Sequence, residues 1–111
     1  MMTGPSIRRF YYRRPRFATN LRMELMVGAA IFPGVCESIN EAGLYGQIGE
    51  NIPNGINGIV TLYHQGTSCK VQVCLSFMEG RRAGLNFLFS SDQERADIRA
   101  FLAMIGMKPS G

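Results

Sequence analysis

The feature that most narrows the choice of fold is the strict alternation over residues 70–77. Val71, Val73, Leu75 and Phe77 stand against Lys70, Gln72 and Ser76. A two-residue period is the mark of an extended strand with one dry face and one wet face. The same period appears earlier, where Leu21, Met23, Leu25 and Val27 alternate with Arg22 and Glu24. The apolar run 29–32 reads as a continuation of that first strand, ended by Pro33-Gly34. Residues 35–39, 44–48 and 59–64 read as further short strands. Asn40 to Gly43, the stretch 49–55 and Gln65-Gly66 have turn or loop composition. After 70–77, Glu79-Gly80-Arg81-Arg82 turns the chain, and Ala83, Leu85, Phe87 and Phe89 return as the second arm of a hairpin.

The period then changes. Ile98, Phe101, Leu102 and Ile105 recur at helical spacing. Ser91 is a suitable N-cap, Glu94 three residues later completes a capping box, and Asp92 complements the helix dipole. Gly106 and Pro109 stop the helix, which is expected over about 91–105. Six short strands and one amphipathic helix predict a mostly-β chain whose sheet closes on itself and whose helix covers an open end. With 111 residues, 46% of them hydrophobic, the chain supports one core and no second domain.

Charge is distributed unevenly. Arg8, Arg9, Arg13, Arg14, Arg16 and Arg22 are half of the twelve basic residues, and no acid precedes Glu24. Residues 1–20 thus read as an extended, flexible, Arg-rich arm on a slightly acidic body, with 21–106 as barrel plus helix and 107–111 as a tail. Guanidinium groups grip phosphates bidentately, stack on planar bases and read the O6 and N7 edge of guanine. Tyr11 and Tyr12 lie between the arginine pairs and offer stacking surface. The arm therefore points to an anionic ligand. A nucleic acid is the weaker choice, because the basic character stops at Arg22. The three cysteines and single histidine lack zinc-ligand spacing, and free thiols suit a reducing cytoplasm. No run approaches a membrane span or a signal peptide. His64 has no adjacent nucleophile, so nothing in the sequence suggests an enzyme or a cofactor.

Two short motifs sit at a specific spacing. Arg9 and Arg13 are four residues apart. Twenty-five residues after Arg13 comes Ser38-Ile39-Asn40-Glu41-Ala42-Gly43. Together with the strand-rich middle, the Gly84-Leu85-Asn86-Phe87 strand and the terminal helix, this resembles the PilZ family of cyclic di-GMP receptors. The likeness spans about residues 8–105. It implies a six-stranded antiparallel β-barrel with a C-terminal α-helix. It also implies a cyclic di-GMP site in which Arg9 and Arg13 match the family's RxxxR, and Ser38, Asn40 and Gly43 match its (D/N)xSxxG position by position. Ser38 stands where the family has Asp or Asn, and Asn40 where it has Ser, so the polar pair is exchanged. Arg14 and Arg16 lie nearer the first strand, and a register ending at Arg16 puts Tyr12 in the first arginine position. The resemblance implies a non-enzymatic receptor of bacterial signalling that relays the second messenger to a partner protein or fused domain. The exchanged pair keeps open an adaptor of the same fold that does not bind the nucleotide.

Overall fold

The structure, a computed structural model, describes residues 17–106. The Arg-rich stretch 1–16 and the tail 107–111, with Arg9, Arg13, Arg14 and Arg16, lie outside the described residues. Six strands run in order: β1 Phe17–Val27, β2 Ala30–Ile39, β3 Gly43–Ile48, β4 Asn57–His64, β5 Thr67–Glu79 and β6 Arg82–Phe87; the helix α1 Asp92–Met104 follows. All neighbouring pairs are antiparallel, and the strand order β1-β2-β3-β6-β5-β4 closes into a barrel. The chain thus forms two three-stranded meanders, β1–β3 and β4–β6. Two seams join them, β1 to β4 and β3 to β6.

The alternation read from the sequence becomes the inside and outside of this barrel. Met23, Leu25, Cys36, Leu44, Val60, Leu62, Val73 and Leu85 are among the buried interior. Arg22, Gln47 and Gln72 face out. Closure leaves no open sheet edge to pair with another chain.

Two strand limits differ from the sequence reading. The first strand begins at Phe17, inside the stretch read as arm, because β2 is long enough to pair with Phe17 and Ala18. Composition marks where arginines stop, not where backbone hydrogen bonding starts. The run 29–32 is not an extension of β1. The chain reverses at Gly28, whose φ of 59° suits a residue without Cβ, and Ala30 pairs back onto Val27. β2 then passes straight through Pro33-Gly34. Pro33 lies beyond Gly34↔Ile48, the last pairing of β2 with β3, so that side of the strand has no neighbour needing its N–H.

The two barrel ends are sealed differently. At the far end, residues 49–56 cross from β3 to β4, with Ile52 buried and Gly55 N–H donating to the Leu75 carbonyl at 2.8 Å. At the near end, α1 packs Ile98, Phe101 and Leu102 into the core. Burying side chains of that size contributes about 1.5–3 kcal/mol each. Ser91 caps the helix, its hydroxyl accepting from Glu94 N–H at 3.2 Å. The Glu94 carboxylate reaches back one residue further than in the usual box and accepts from Ser90 N–H at 2.7 Å.

Candidate functional site

The near end holds Ser38, Asn40 and Gly43, the described residues among those singled out from the sequence. Phe17 pairs with Ile39 and Ala18 with Ser38, so the point at which residues 1–16 join the barrel lies directly beside the 38–43 segment. Register shifts flank this point on both sides. One falls in β1 between Ala18 and Leu21, the other between Cys36 and Ser38, where β2 carries one residue more than β3. Bulges of this kind bend a strand and re-aim its side chains. Here they turn Ser38 outward while Cys36 and Ile39 stay buried.

The three matched positions have three different jobs. Ser38 is half-buried, and its hydroxyl makes no hydrogen bond among the described residues. Asn40 is 7% exposed, and its Oδ1 accepts from Ala42 N–H at 2.7 Å and Gly43 N–H at 3.1 Å. The Asn40 N–H donates to the Gly43 carbonyl at 2.9 Å. Asn40 therefore builds the turn, a use of Asn that needs no ligand. Gly43 pairs with Asn86, and a Cβ there would fall on the Leu85 carbonyl. The close approach of β3 to β6 admits only hydrogen at that position.

The sequence reading missed the surface beside Ser38. Tyr45 is its partner on β3, and Gly84 on β6 is the partner of Tyr45. Phe77 on β5 follows opposite Gly84. Because Gly84 has no side chain, the rings of Tyr45 and Phe77 meet across it, centroids 5.4 Å apart and tilted by 58°. One outward row thus reads Ala18, Ser38, Tyr45, Gly84, Phe77. No periodicity within one strand signals such a row, because it runs across five of them.

Further cationic groups were also missed as site residues. Arg22 lies over the Tyr63 ring at 4.4 Å. Tyr63 O–H donates to Glu24 at 2.8 Å, and that carboxylate pushes the phenol pKa up. On α1, Arg99 donates from Nε to Glu41 at 3.1 Å, tying the helix to the turn built by Asn40. Two of the thiols are held in the protonated form: burial pushes Cys36 up to about 12 and also raises Cys69, where Asp97 adds to the effect. Among the described residues no group of three or more His, Cys, Asp or Glu is placed to hold a metal, and no helix is long and apolar enough to cross a membrane.

No protein-family model matches the sequence, and no curated protein matches it. Solved structures do match the fold. The PilZ domain of CeSA from a cellulose-synthesizing bacterium aligns with a TM-score of 0.73 at 11% identity, covering 83% of this chain and 98% of that one. The Bacillus subtilis inhibitor of motility (MotI/DgrA) aligns with a TM-score of 0.62 at 12% identity, covering 88% of this chain and 54% of that one. The chain therefore spans about half the length of the motility inhibitor. At these identities the likeness concerns the fold: a PilZ-like barrel with its C-terminal helix.

Proposed function

We propose that this chain is a cytoplasmic, non-enzymatic receptor module for cyclic di-GMP, which relays the level of that messenger to a partner protein or fused domain. The observation that carries the reading is the pairing of Ala18 with Ser38 and Phe17 with Ile39. It sets the base of the Arg-rich stretch against the turn that the PilZ resemblance marks as the guanine side of the site. Arg13 and Arg9 stand four and eight residues before Phe17. At no more than ~3.5 Å per residue they reach within roughly 14 and 28 Å of it, enough to lay an arm across the outward row.

In this reading the guanidinium groups of Arg9 and Arg13, with Arg14 and Arg16 beside them, take the phosphates and stack on a base. Ser38 supplies a hydroxyl that both donates and accepts. Asn40 and Gly43 act indirectly, by holding the turn. The arm folds over the barrel as the ligand neutralises it, and the changed surface is what the partner meets.

Isothermal titration of the full chain with cyclic di-GMP, with GMP as control, tests this. The expected result is saturable binding selective for the dinucleotide. Arg9→Ala or Arg13→Ala should lower affinity by about tenfold or more, as loss of a charge-assisted contact does. An affinity indifferent to both substitutions sinks the assignment. A second reading, an adaptor of the same fold without nucleotide affinity, is favoured by one specific observation. The Asn40 carbonyl oxygen is already taken by Ala42 and Gly43, and Ser38 offers no carboxylate or amide in its place. Absence of saturable heat with the intact chain selects that reading.

A further inference from the structure

Beside the 40–42 turn lies a cleft of about 500 Å³, lined by Glu41, Ala42, Leu88, Phe89, Arg95 and Arg99 among others. Neither Ser38 nor Asn40 lines it. Arg95 and Arg99 are four apart on α1 and so share one helix face. They face a single carboxylate. Glu41 takes one donor from Arg99, its Nε, at 3.1 Å, and a guanidinium has five N–H donors. Arg95 has no carboxylate partner among the described residues; its guanidinium lies over the Phe89 ring at 4.8 Å. Two cations against one anion leave the cleft net positive, with most donors uncommitted.

The rest of the cleft is apolar and fixed. Leu88 is an exposed large hydrophobic residue beside the half-buried Phe89. The backbone beneath is held by Phe87 N–H to the Ala42 carbonyl at 2.9 Å and Leu88 N–H to the Gln72 carbonyl at 2.7 Å. Stacking on Phe89 restricts the Arg95 guanidinium, so less entropy is lost when its donors are engaged. Every charged side chain in 1–16 is arginine, so that stretch brings no anionic side chain to the cleft.

We propose that this cleft binds a small organic oxyanion, a phosphate or carboxylate carried on a flat apolar body. The oxyanion bridges Arg95 and Arg99 and displaces Glu41, while the apolar body lies on Leu88 and Phe89. The cleft shares the 38–43 turn through Glu41 and Ala42 but is lined by neither Ser38 nor Asn40, and the proposal does not rest on the cyclic di-GMP reading.

The test uses the chain with Arg8, Arg9, Arg13, Arg14 and Arg16 replaced by Gln, so that arm binding cannot mimic the result. Phenyl phosphate and benzoate are titrated while NMR follows the Arg95 and Arg99 Nε–H signals and the amides of 87–89. Phenol is the uncharged control. A saturable shift of these signals with at least one anion is expected, and the stronger of the two identifies the oxyanion preferred. Arg95→Gln should weaken that binding about tenfold. Glu41→Gln should strengthen it several-fold, because the competing carboxylate is gone. Both side chains reach solvent, so these variants keep the fold. No saturable shift with either anion, an equal response to phenol, or weaker binding in Glu41→Gln overturns the proposal.

Discussion

The two ends of the barrel solve one problem with different groups. At the far end, main chain does the sealing: residues 49–56 cross over, bury Ile52, and bond to β5 through Gly55 and Ile56. At the near end, side chains do it. The helix face is buried, but Ser38, Arg95 and Arg99 keep hydrogen-bonding capacity that no partner among the described residues uses up. A seal made of backbone consumes its own polar groups; one made of side chains can leave some over for a ligand. The contrast fits the proposal that recognition belongs to the near end.

The largest expected effect tests how tightly the near end is built. Gly43→Ala puts a methyl group onto the Leu85 carbonyl and should cost about 3 kcal/mol or prevent folding. Gly49→Ala, at the start of the far crossing with nothing within 4 Å of its Cβ, should change denaturant stability by less than about 0.5 kcal/mol. Equal costs would erase the distinction. Next in size, Ile52→Ala should cost about 2–4 kcal/mol by opening a cavity, yet leave the affinity for any near-end ligand unchanged. A parallel fall in affinity would mean that the ends are coupled. Asn40→Ala removes two turn bonds and should cost about 1–2 kcal/mol, whereas Asn40→Asp, which keeps the acceptor, should cost less than half of that.

Cys36 lies in the wall shared by both ends. Burial raises its thiol from 9.0 to about 12, so the unfolded chain releases the proton first. Its contribution is complete below about pH 8 and declines from there towards pH 12, with about 1.4 kcal/mol lost by pH 10. Denaturation curves at pH 8 and pH 10 should show the decline, and Cys36→Ala should lessen it, the raised Cys69 thiol and Tyr63 phenol leaving a residual slope. The smallest effect is expected from Glu41→Gln. The Arg99–Glu41 pair is exposed, with side chains 59% and 32% accessible, and its loss should move stability by less than about 0.5 kcal/mol.

What could be read from the sequence was what is local. The β5 alternation, the β5–β6 hairpin and the Ser91 cap each depend on residues within a few positions of one another, and the structure has all three. The six-stranded closure with its terminal helix also stands as read. Pro33-Gly34 misled because these residues usually mark turns, while the actual turn rests on Gly28, next to an alanine that looked like strand. The 38–43 segment was legible as a turn at the right place. The separate roles of its residues were not, since only the fold shows that Asn40 faces its own backbone and Gly43 faces Leu85. The Tyr45–Phe77 pair and the Arg95–Arg99 cleft were out of reach for the same reason. Each joins residues that only strand pairing or helix docking brings together.

The two-meander construction has a consequence for how the chain folds. Within each meander, partners are close in sequence and loop closure is fast. The seams join distant partners, such as Arg22 with Tyr63 and Gly43 with Asn86, and both wait on the single tether 49–56. High contact order is thus concentrated in one encounter between the two halves, and that encounter is expected to set the refolding rate. Lengthening the tether with Gly-Ser should slow refolding only weakly, since doubling a loop costs about 0.6 kcal/mol, a difference that stopped-flow kinetics can read. The same tether is where two copies of the chain would trade halves.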